Sequence, residues 1–442
     1  MSPAVDAVAA PAIKTILFAS EYYPPFAPGG AEWTNAAWAS ALARRGRRVI
    51  VVTPNYGAAA REERDGITVH RVPFPVRLAP GSGEAGWLVH RNPLFHRYFG
   101  RQVERLARRE GADLIHAQNK GALIGSVRAA RNCRLPIVVT VRDVGLLCPI
   151  GACTLFEPWT TFDCTTAQYV DRCVPFFLDH YATGHRGLRR AALRARLRWA
   201  WLDQGRLVRA LQSVDAVVGV SAGILALFPE RLVPTARRRV VHPLPPGGPA
   251  PVAAEVERVR AQLGIPAGPL VLYAGKRSLG KGTPVLLEAL AVIRAAVPGV
   301  RFAFAGKGET PLPVAADVHA LGPLAQTTLF ALYRAADVVV VPSVWPEPLS
   351  RVLVEAMWLG RPVVATAVGG SPEAVVDGVT GLLVAKRDVP GLAAAVAALL
   401  RDPARRARMG EAAAARAAAL FDEERVMTAL LDAYESVATR PA

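Results

Sequence analysis

No apolar run in the 442-residue sequence reaches the roughly 18 residues that a membrane-spanning helix needs, because Arg, Pro, Gly or Asp interrupts each candidate. The first 13 residues lack the basic and then apolar segments of a secretory signal, and we expect residues 1–13 to be disordered. Cysteine is scarce, at 5 residues, which favours reduced thiols over a disulfide framework. These absences predict a cytoplasmic protein, either soluble or held at the inner face of the cell membrane.

Several signatures of cofactor and metal chemistry are also missing. The sequence contains no Asp-x-Asp pair, which would hold Mg²⁺ or Mn²⁺ on a diphosphate. It has no Walker loop and, after the first predicted strand, no Gly-x-Gly-x-x-Gly loop. A metal-dependent transferase and a nicotinamide dehydrogenase are therefore disfavoured, and we expect neither a cofactor nor a divalent metal.

Acidic residues are outnumbered, with 36 Asp and Glu against 53 Lys and Arg and a net charge of +17. This balance favours anionic partners, but no docking motif accompanies the arginines, so nucleic acid fits poorly. The most basic segment, residues 185–212, carries eight Arg and one acid with Leu and Trp at helical spacing. Two interpretations stay open: contact with an anionic membrane, or the solvated face of a core-packed helix.

What the chain has in quantity is apolar residues, at 52% of the total. A chain of 442 residues exceeds the roughly 250 to 300 at which one core stops growing, so we expect two domains. Short β-branched runs alternate with helical patterns, which predicts α/β architecture with parallel sheets covered by helices. The predicted strands cover residues 15–19, 49–53, 67–72, 113–117, 137–141 and 215–220, and others begin at 270, 301, 337, 362 and 381.

Composition also suggests where the domains divide. The segment 242–251 is rich in Pro and Gly and is the expected hinge. We predict a first domain over residues 14–243, with a cysteine-containing insertion at 146–180, and a second domain over 244–420. A C-terminal helix over 421–442 is expected to cross back to the first domain.

The most informative segment is residues 341–384, where a strand, the loop SVWPEP and a helix starting near Ser350 follow one another. Glu347 lies in the loop and Glu355 lies on the helix. The N–H groups of residues 349–351 open that helix and form an anion site between the two carboxylates. An ionised carboxylate accepts hydrogen bonds only, so Glu355 suits a pair of sugar hydroxyls. Two glutamates also occur by chance as surface residues, but the neighbouring Pro and Gly-Gly-x-x-Glu patterns favour a functional interpretation.

A cluster of cations lies in residues 273–290. A predicted strand ends in Gly275, and Lys276, Arg277 and Lys281 follow on the loop. Cations at the carboxyl end of a parallel strand can neutralise a diphosphate by charge-assisted hydrogen bonds. Lysines in such loops are commonly just solvated. We assign a functional role to Lys281 and leave the second role open between Lys276 and Arg277.

Two further features involve small residues and cysteines. After the first strand, Gly29 and Gly30 let backbone amides approach a phosphate or sugar at a helix start. Four cysteines fall in the predicted insertion without a Cys-x2-Cys knuckle, so a zinc site is a weak hypothesis beside buried thiols or an acceptor-binding lid. They are Cys148, Cys153, Cys164 and Cys173.

These motifs resemble the retaining nucleotide-sugar glycosyltransferases of the GT-B fold, family 4, also called glycosyl transferases group 1. The resemblance covers most of the chain and is strongest over residues 270–385. It implies two Rossmann-like, doubly wound domains that face each other across a cleft. It also implies transfer of a sugar, with retention of configuration, from a UDP-, GDP- or ADP-sugar to a hydroxyl of a glycan, a lipid-linked acceptor or a small molecule.

By the same resemblance, Lys281, Glu347 and Lys276 are the expected catalytic residues, and Glu355 is expected to bind the ribose. The remaining residues expected to bind the donor are Gly29, Gly30, Arg277, Leu321, Pro348, Leu349 and Ser350. Relatives often have histidines where Gln118 and Arg142 stand here, whereas His116 is kept. We expect these three on the acceptor side, and Arg142 favours an anionic acceptor. The departures keep two alternatives open: an epimerase or hydrolase of sugar nucleotides on this fold, and a catalytically silent binding protein.

Overall fold

A computed structural model describes residues 13–27, 29–80, 89–151, 164–245, 247, 250–308 and 310–438. Residues 1–12, for which we predict disorder, and Cys153, one of the candidate zinc ligands, lie outside the described residues. Ile13, the last residue of the predicted disordered segment, is described and is buried. Within these ranges no helix is both long and apolar enough to cross a membrane.

The first sheet holds eight strands in the described part of the chain, in the order β3-β4-β2-β1-β5-β6-β7-β8. All neighbouring strands pair in parallel except β3 with β4. The strands are β1 (Thr15–Ala19), β2 (Arg48–Pro54), β3 (Arg61–Arg64), β4 (Ile67–Val72), β5 (Leu114–Ala117), β6 (Ile137–Val141), β7 (Ala216–Gly219) and β8 (Arg238–Val240). Their Val and Ile side chains are buried on both faces, as parallel sheets require.

The second sheet is parallel throughout and has the order β11-β10-β9-β12-β13-β14 among the described residues. Its strands are β9 (Leu270–Ala274), β10 (Arg301–Ala305), β11 (Val318–Gly322), β12 (Val338–Val341), β13 (Val363–Thr366) and β14 (Gly381–Val384). The strand order reverses between β9 and β12 here, and between β1 and β5 in the first sheet. Ligands bind at such reversals, at the carboxyl ends of the strands. The predicted fold class is confirmed.

Helices cover the sheets and join the strands. They are α1 (Gly30–Arg44), α2 (Pro93–Glu110), α3 (Lys120–Cys133), α4 (Thr166–Gln168), α5 (Val174–His180), α6 (Gly187–Gln212), α7 (Ala222–Ala226), α8 (Ala253–Gln262), α9 (Thr283–Ala296), α10 (Gln326–Ala335), α11 (Arg351–Trp358), α12 (Ser371–Ala374), α13 (Val389–Arg401), α14 (Pro403–Leu420) and α15 (Glu423–Ala438). Short 3-10 turns cover Val144–Leu146 and Thr235–Arg237, and a π turn covers Tyr169–Cys173.

The last helix, α15, lies against the first sheet. Its Tyr434 hydroxyl is 2.8 Å from Nδ1 of His116 on β5. At its first turn, Glu423 pairs with Arg45, which follows α1, at 2.7 Å. Buried apolar side chains of α15 belong to the core that includes β1, β5 and β6. The C-terminus of the described chain therefore packs on the sheet in which the chain begins.

The cysteine-containing insertion forms a small apolar cluster of its own. Cys148 and Cys173 are buried in it with Tyr169 and Leu197, and Cys164 is half-buried. Among the described residues, no group of three or more His, Cys, Asp or Glu side chains is arranged to hold a metal ion. The geometry of this part supports packing by Cys148 and Cys173.

Candidate functional site

The loops after β9 and β12 bring a lysine and a glutamate into direct contact. Nζ of Lys281 is 2.7 and 2.6 Å from the two carboxylate oxygens of Glu347. The Ser343 hydroxyl and the Trp345 indole N–H also donate to Oε2 of Glu347, at 3.2 and 2.8 Å. The pair arises because β9 and β12 are neighbours in the sheet and their loops leave the same edge.

Burial and these partners act in opposite directions on Glu347, whose side chain is only 8% exposed. Burial raises the pKa of Glu347, but attraction to Lys281 and the hydrogen bonds from Lys281, Trp345 and Ser343 bring it below its ordinary value. The carboxylate is therefore ionised at neutral pH. The lysine side chain is 35% exposed, so the pair presents its cation toward solvent.

Helix α11 begins directly beside this pair. Ser350 is its N-cap residue, in extended conformation, and its side chain makes no capping hydrogen bond. Within the described chain, nothing accepts a hydrogen bond from the N–H groups of Leu349, Ser350 or Arg351. These N–H groups and the positive end of the helix dipole form a place for an anion. Lys281 and Glu347 flank it on the preceding loops.

Glu355 lies one turn into α11 and is buried. Its Oε1 accepts hydrogen bonds from Nε and Nη2 of Arg351 at 3.1 and 2.8 Å, and its Oε2 accepts one from the Tyr333 hydroxyl at 3.0 Å. A carboxylate offers about four acceptor positions, so one remains for a ligand hydroxyl in this arrangement. The Arg351 partner was not predicted, although its spacing of four residues from Glu355 is the pattern of a helical ion pair.

Arg351 also explains one of the predicted glycines. A Cβ atom on Gly30, the first residue of α1, would be 2.6 Å from Cδ of Arg351. The glycine therefore lets the start of α1 in the first domain approach α11 in the second. Gly29 precedes it as N-cap of α1, and its N–H donates to Oε2 of Glu32 at 3.0 Å. The structure thus brings Gly29 and Gly30 to the same cleft as Glu355.

The side chain of Arg277 holds the loop after β9 in place. The guanidinium of Arg277 donates to the carbonyl oxygens of Gly306, Gly308 and Thr310, at 3.0, 3.4 and 3.2 Å. It therefore fastens the loop after β9 to the loop after β10, and its contact with the diphosphate stays a prediction. The Lys276 side chain, one residue earlier, is exposed at the carboxyl edge of the sheet.

Two other predicted donor residues occupy positions near this edge. Leu321 is half-buried in β11, where Gly306 N–H donates to the carbonyl of the following Gly322 at 2.6 Å. Pro348 follows Glu347, and its carbonyl accepts a hydrogen bond from the Ser221 hydroxyl of the first domain. Both positions are therefore set by backbone contacts at the sheet edge.

A cavity of about 220 Å³ opens in the first domain at the carboxyl ends of β1, β5 and β6. Its polar lining includes Glu21, Glu32, Lys120, Arg142 and Asp143 together with Gly29 and Gly30. Burial raises the pKa of Glu32 to about 7, against the weaker opposing effect of backbone hydrogen bonds and Arg142. Sequence analysis missed Glu32 because a first-turn glutamate ordinarily stabilises a helix from the surface.

His116 does not line this cavity, which corrects the acceptor-side prediction. The side chain is fully buried, with Nδ1 2.8 Å from the Tyr434 hydroxyl and Nε2 2.7 Å from the Thr140 hydroxyl. Burial holds the pKa of His116 well below its usual range, so the ring is neutral. It is a satisfied core residue that joins β5 to α15.

Gln118 and Arg142 contact each other beneath the cavity. The Arg142 guanidinium donates to Oε1 of Gln118 at 3.1 Å and to Oδ1 of Asn35, and it lies 4.9 Å from the ring centre of Trp38. Burial lowers the pKa of Arg142 to about 10, so it stays charged at neutral pH. Gln118 is fully buried, whereas Arg142 reaches the cavity lining.

Comparison with known proteins accounts for both halves of this arrangement. Residues 268–402 match the family "Glycosyl transferases group 1", and residues 29–244 match "Glycosyl transferase 4-like domain". Together the two matches cover well over half of the chain. The chain belongs to the group 1 glycosyl transferases.

The family includes curated relatives that match part of this chain. This chain is 39% identical to a glycogen synthase of Mycobacterium tuberculosis over 173 residues, and the alignment covers 37% of this chain and 42% of the relative. It is 39% identical over 190 residues to a D-inositol 3-phosphate glycosyltransferase of Mycolicibacterium paratuberculosis, which is 40% of this chain and 42% of the relative. The aligned parts therefore span less than half of each relative.

Solved structures of other glycosyltransferases share the whole architecture. Sucrose-phosphate synthase from Thermosynechococcus elongatus superposes with a TM-score of 0.67 and 22% identity, over 94% of this chain and 97% of that one. The catalytic domain of starch synthase IV from Arabidopsis thaliana, bound to ADP and acarbose, superposes with a TM-score of 0.69 and 16% identity, over 97% of this chain and 100% of that one. These likenesses establish the GT-B fold, with two α/β domains that face each other.

In this chain, the loop that carries Glu347 is tied to both domains. The Gly370 N–H donates to the Glu347 carbonyl at 2.8 Å. Three residues later, Glu373 accepts from the Ala222 N–H and lies against Nε2 of His242, both at 2.6 Å and both in the first domain. The Gly-Gly-x-x-Glu pattern was visible in the sequence, but its partners are more than 130 residues away.

Proposed function

We propose that the protein transfers a sugar from a nucleoside-diphosphate sugar to an acceptor hydroxyl, with retention of configuration and without a divalent metal. The observation that carries the proposal is the Lys281–Glu347 contact beside the N–H groups that open α11. An ammonium group and a helix N-terminus both stabilise negative charge, which grows on a diphosphate as it leaves a sugar. Glu355 supplies an acceptor for a ribose hydroxyl in the same cleft.

In this proposal, Lys281 exchanges its contact with Glu347 for one with the donor diphosphate. Its ammonium group is partly exposed and has three donor hydrogens, so it can contact a phosphate while it stays close to the carboxylate. Glu347 then has an acceptor oxygen for hydroxyls of the transferred sugar. Lys276 is exposed on the same loop and is the candidate for a second contact to the diphosphate.

For the bond changes we propose a substitution on one face of the sugar, as the family resemblance implies. The acceptor hydroxyl oxygen forms a bond to the anomeric carbon on the face from which the diphosphate departs, while the bond from that carbon to the phosphate oxygen breaks. The hydroxyl proton passes to a departing phosphate oxygen. The protein contributes charge stabilisation and positioning, and approach of the domains excludes water. We propose that the acceptor enters through the cavity of the first domain, where Arg142 favours an anionic group.

A panel of nucleotides identifies the donor. Thermal unfolding is measured with UDP, GDP and ADP and their sugars in the presence of EDTA, because a ligand that binds the folded state raises the apparent melting temperature. The stabilising sugar donor is then incubated with candidate glycan, lipid-linked and small-molecule acceptors, and proton NMR gives the anomeric configuration of the product. A retained configuration with EDTA present supports the proposal, whereas an inverted product or a requirement for added metal contradicts it.

The same donor without acceptor separates the alternatives. An epimerase converts it to another sugar nucleotide, and a hydrolase releases free sugar as fast as the complete reaction proceeds. A silent binding protein shows thermal stabilisation with no turnover in any acceptor mixture. The control for substitution of Lys281 is Lys14→Ala. Lys14 is exposed at the opposite end of β1, so its replacement removes the same charge at a place away from the cleft.

A further inference from the structure

Helix α6 presents a basic and apolar face to solvent. Its buried side chains, such as Leu197, Gln204 and Leu207, point to the first domain. The opposite side carries exposed residues, most of them three or four positions apart, which lie in one stripe. Those residues are Arg194, Arg198, Trp199, Leu202, Arg206 and Arg209.

The apolar members of this stripe are unusually open to water. Leu202 is 74% exposed and Trp199 is 41% exposed, and Leu188 at the start of the helix is 90% exposed. Isolated exposed leucines are common, but three large apolar side chains among arginines on one exposed helix can enter a bilayer surface while the arginines reach the head groups. Such a helix lies in the plane of a bilayer surface with its apolar side chains inserted between lipids.

The arginines of the stripe have little acidic compensation. Within the described chain, Arg194, Arg198 and Arg209 form no ion pair, and Arg206 contacts only the buried Asp203, at 3.1 Å. Elsewhere on the surface some arginines are paired, as Arg44 is with a glutamate of α15 at 2.6 Å. The unpaired arginines of the stripe lie close together on one helix, and this concentration of positive charge calls for an anionic partner.

The basic surface continues beyond the helix. Arg128 and Arg131 of α3 line a shallow hollow with Arg209, and Arg131 donates to the Ser213 hydroxyl at 2.8 Å. A hollow lined by three guanidinium groups matches the phosphate of a lipid head group, because arginine binds phosphate with two parallel hydrogen bonds. The hollow and the stripe share Arg209 and so belong to one surface.

We propose that this surface of α6 binds an anionic lipid bilayer. The inner side of the same helix reaches the candidate acceptor cavity: Gln204 donates to the carbonyls of Gly145 and Leu146, and Leu146 lines that cavity. A bilayer on the outer side would therefore lie about one helix diameter, roughly 10 Å, from the loop that borders the cavity. A lipid-linked acceptor is the substrate class that this arrangement would serve, and this last step rests on the proposed function.

Vesicle co-sedimentation of the full chain tests the membrane contact without any glycosyl transfer. Vesicles of phosphatidylcholine with about one third phosphatidylglycerol are compared with vesicles of pure phosphatidylcholine. Each is measured at about 0.1 M and about 1 M salt, because the electrostatic screening length falls from about 10 to about 3 Å between these concentrations. We expect binding only to the anionic vesicles at low salt. Equal binding to neutral vesicles, or none to anionic ones, overturns the proposal.

Variants locate the contact. Each arginine near an anionic surface contributes about fivefold in affinity, and a glutamate in its place adds a repulsion of similar size. The double substitution Arg194→Glu and Arg198→Glu should therefore weaken vesicle binding by at least about 100-fold. The double substitution Arg408→Glu and Arg425→Glu changes the charge equally on exposed residues of the C-terminal helices and is the matched control. Leu202→Ser should weaken binding without a change in charge.

Two outcomes would contradict the assignment. Equal loss of vesicle binding in both double variants would show that net charge alone is responsible. The surface would instead be assigned to nucleic acid if the protein bound RNA in a way that depends on Arg194 and Arg198 and did not bind the vesicles. Donor-dependent thermal stabilisation, measured on the same variants, keeps this test separate from the proposed function, because the cleft is unaltered.

Discussion

Replacement of Lys281 by alanine should affect stability and turnover for different reasons. The substitution leaves the Glu347 carboxylate, 8% exposed, with only the Ser343 and Trp345 donors. Loss of one partner of a buried ion pair costs about 3–5 kcal/mol, whereas exposed pairs contribute about 0–1 kcal/mol. Because the Lys281 side chain is 35% exposed, we expect a loss of about 1–3 kcal/mol in the free energy of unfolding at neutral pH.

The pH dependence identifies the cause of that loss. The pKa of Glu347 is lowered in the folded state, so its contribution to stability is present above the ordinary glutamate pKa and disappears as pH falls through the folded pKa. The Lys281→Ala variant should therefore differ most from the wild type at about pH 7, and the difference should decrease as the pH falls below the ordinary glutamate pKa. Chemical denaturation over a series of acidic pH values measures this. The second substitution Glu347→Gln should remove most of the difference at neutral pH.

Turnover should not recover with stability. Loss of a group that stabilises developing charge typically lowers turnover by about 10²- to 10³-fold. We expect a loss of this size in Lys281→Ala and no recovery in the double variant with Glu347→Gln, whereas Lys14→Ala should remain near wild type. If the double variant regained both stability and turnover, or if Lys281→Ala kept normal turnover, the assignment of Lys281 to the diphosphate would be wrong.

Three further predictions concern the surroundings of the pair. Glu355→Gln should raise the donor KM by about 10- to 100-fold, because a hydrogen bond to a charged group contributes about 1.5–3 kcal/mol, and it should cost up to about 1 kcal/mol of stability because the 31% exposed Arg351 loses its ion pair; an unchanged KM would remove Glu355 from the site. Gly369→Ala, at φ +55° and against the Glu347 carbonyl oxygen, should destabilise the protein by about 2–5 kcal/mol and lower turnover. Gly378→Ala, at φ +75° with no atom within 4 Å of the added carbon, is the control and should cost only about 1–2 kcal/mol in thermal or chemical unfolding. The raised pKa of Glu32 means that the folded state binds more protons than the unfolded chain between 4.5 and about 7. The contribution of Glu32 to stability should fall as pH rises through that window, by up to about 1.4 kcal/mol per pH unit, and the difference between the wild type and Glu32→Gln should isolate it.

The parallel sheets could be predicted because their strands are short β-branched runs buried on both faces. Predicted strands at 15–19, 67–72 and 137–141 match β1, β4 and β6 in their bounds. Two edge strands were missed for physical reasons. Residues of β3 are polar and mostly exposed in an antiparallel edge pair, and β8 is only three residues long.

The candidate site could be predicted where topology alone brings residues together. Lys281 and Glu347 follow strands that are neighbours at the reversal of strand order, so their contact follows from the fold class. The environment of single side chains could not be predicted in this way. His116 is satisfied by Tyr434, which is 318 positions away, and Arg277 is held by carbonyls of a neighbouring loop. Neither partner leaves a local pattern in the sequence.

A structure of the protein with the nucleoside diphosphate that stabilises it most, obtained in EDTA, tests the central claim most directly. We predict the diphosphate within hydrogen-bond distance of Nζ of Lys281 and of the N–H groups that open α11, with a ribose hydroxyl on the Glu355 carboxylate. A nucleotide bound outside the cleft, or a diphosphate held by a metal ion with Lys281 still closed on Glu347, would contradict it.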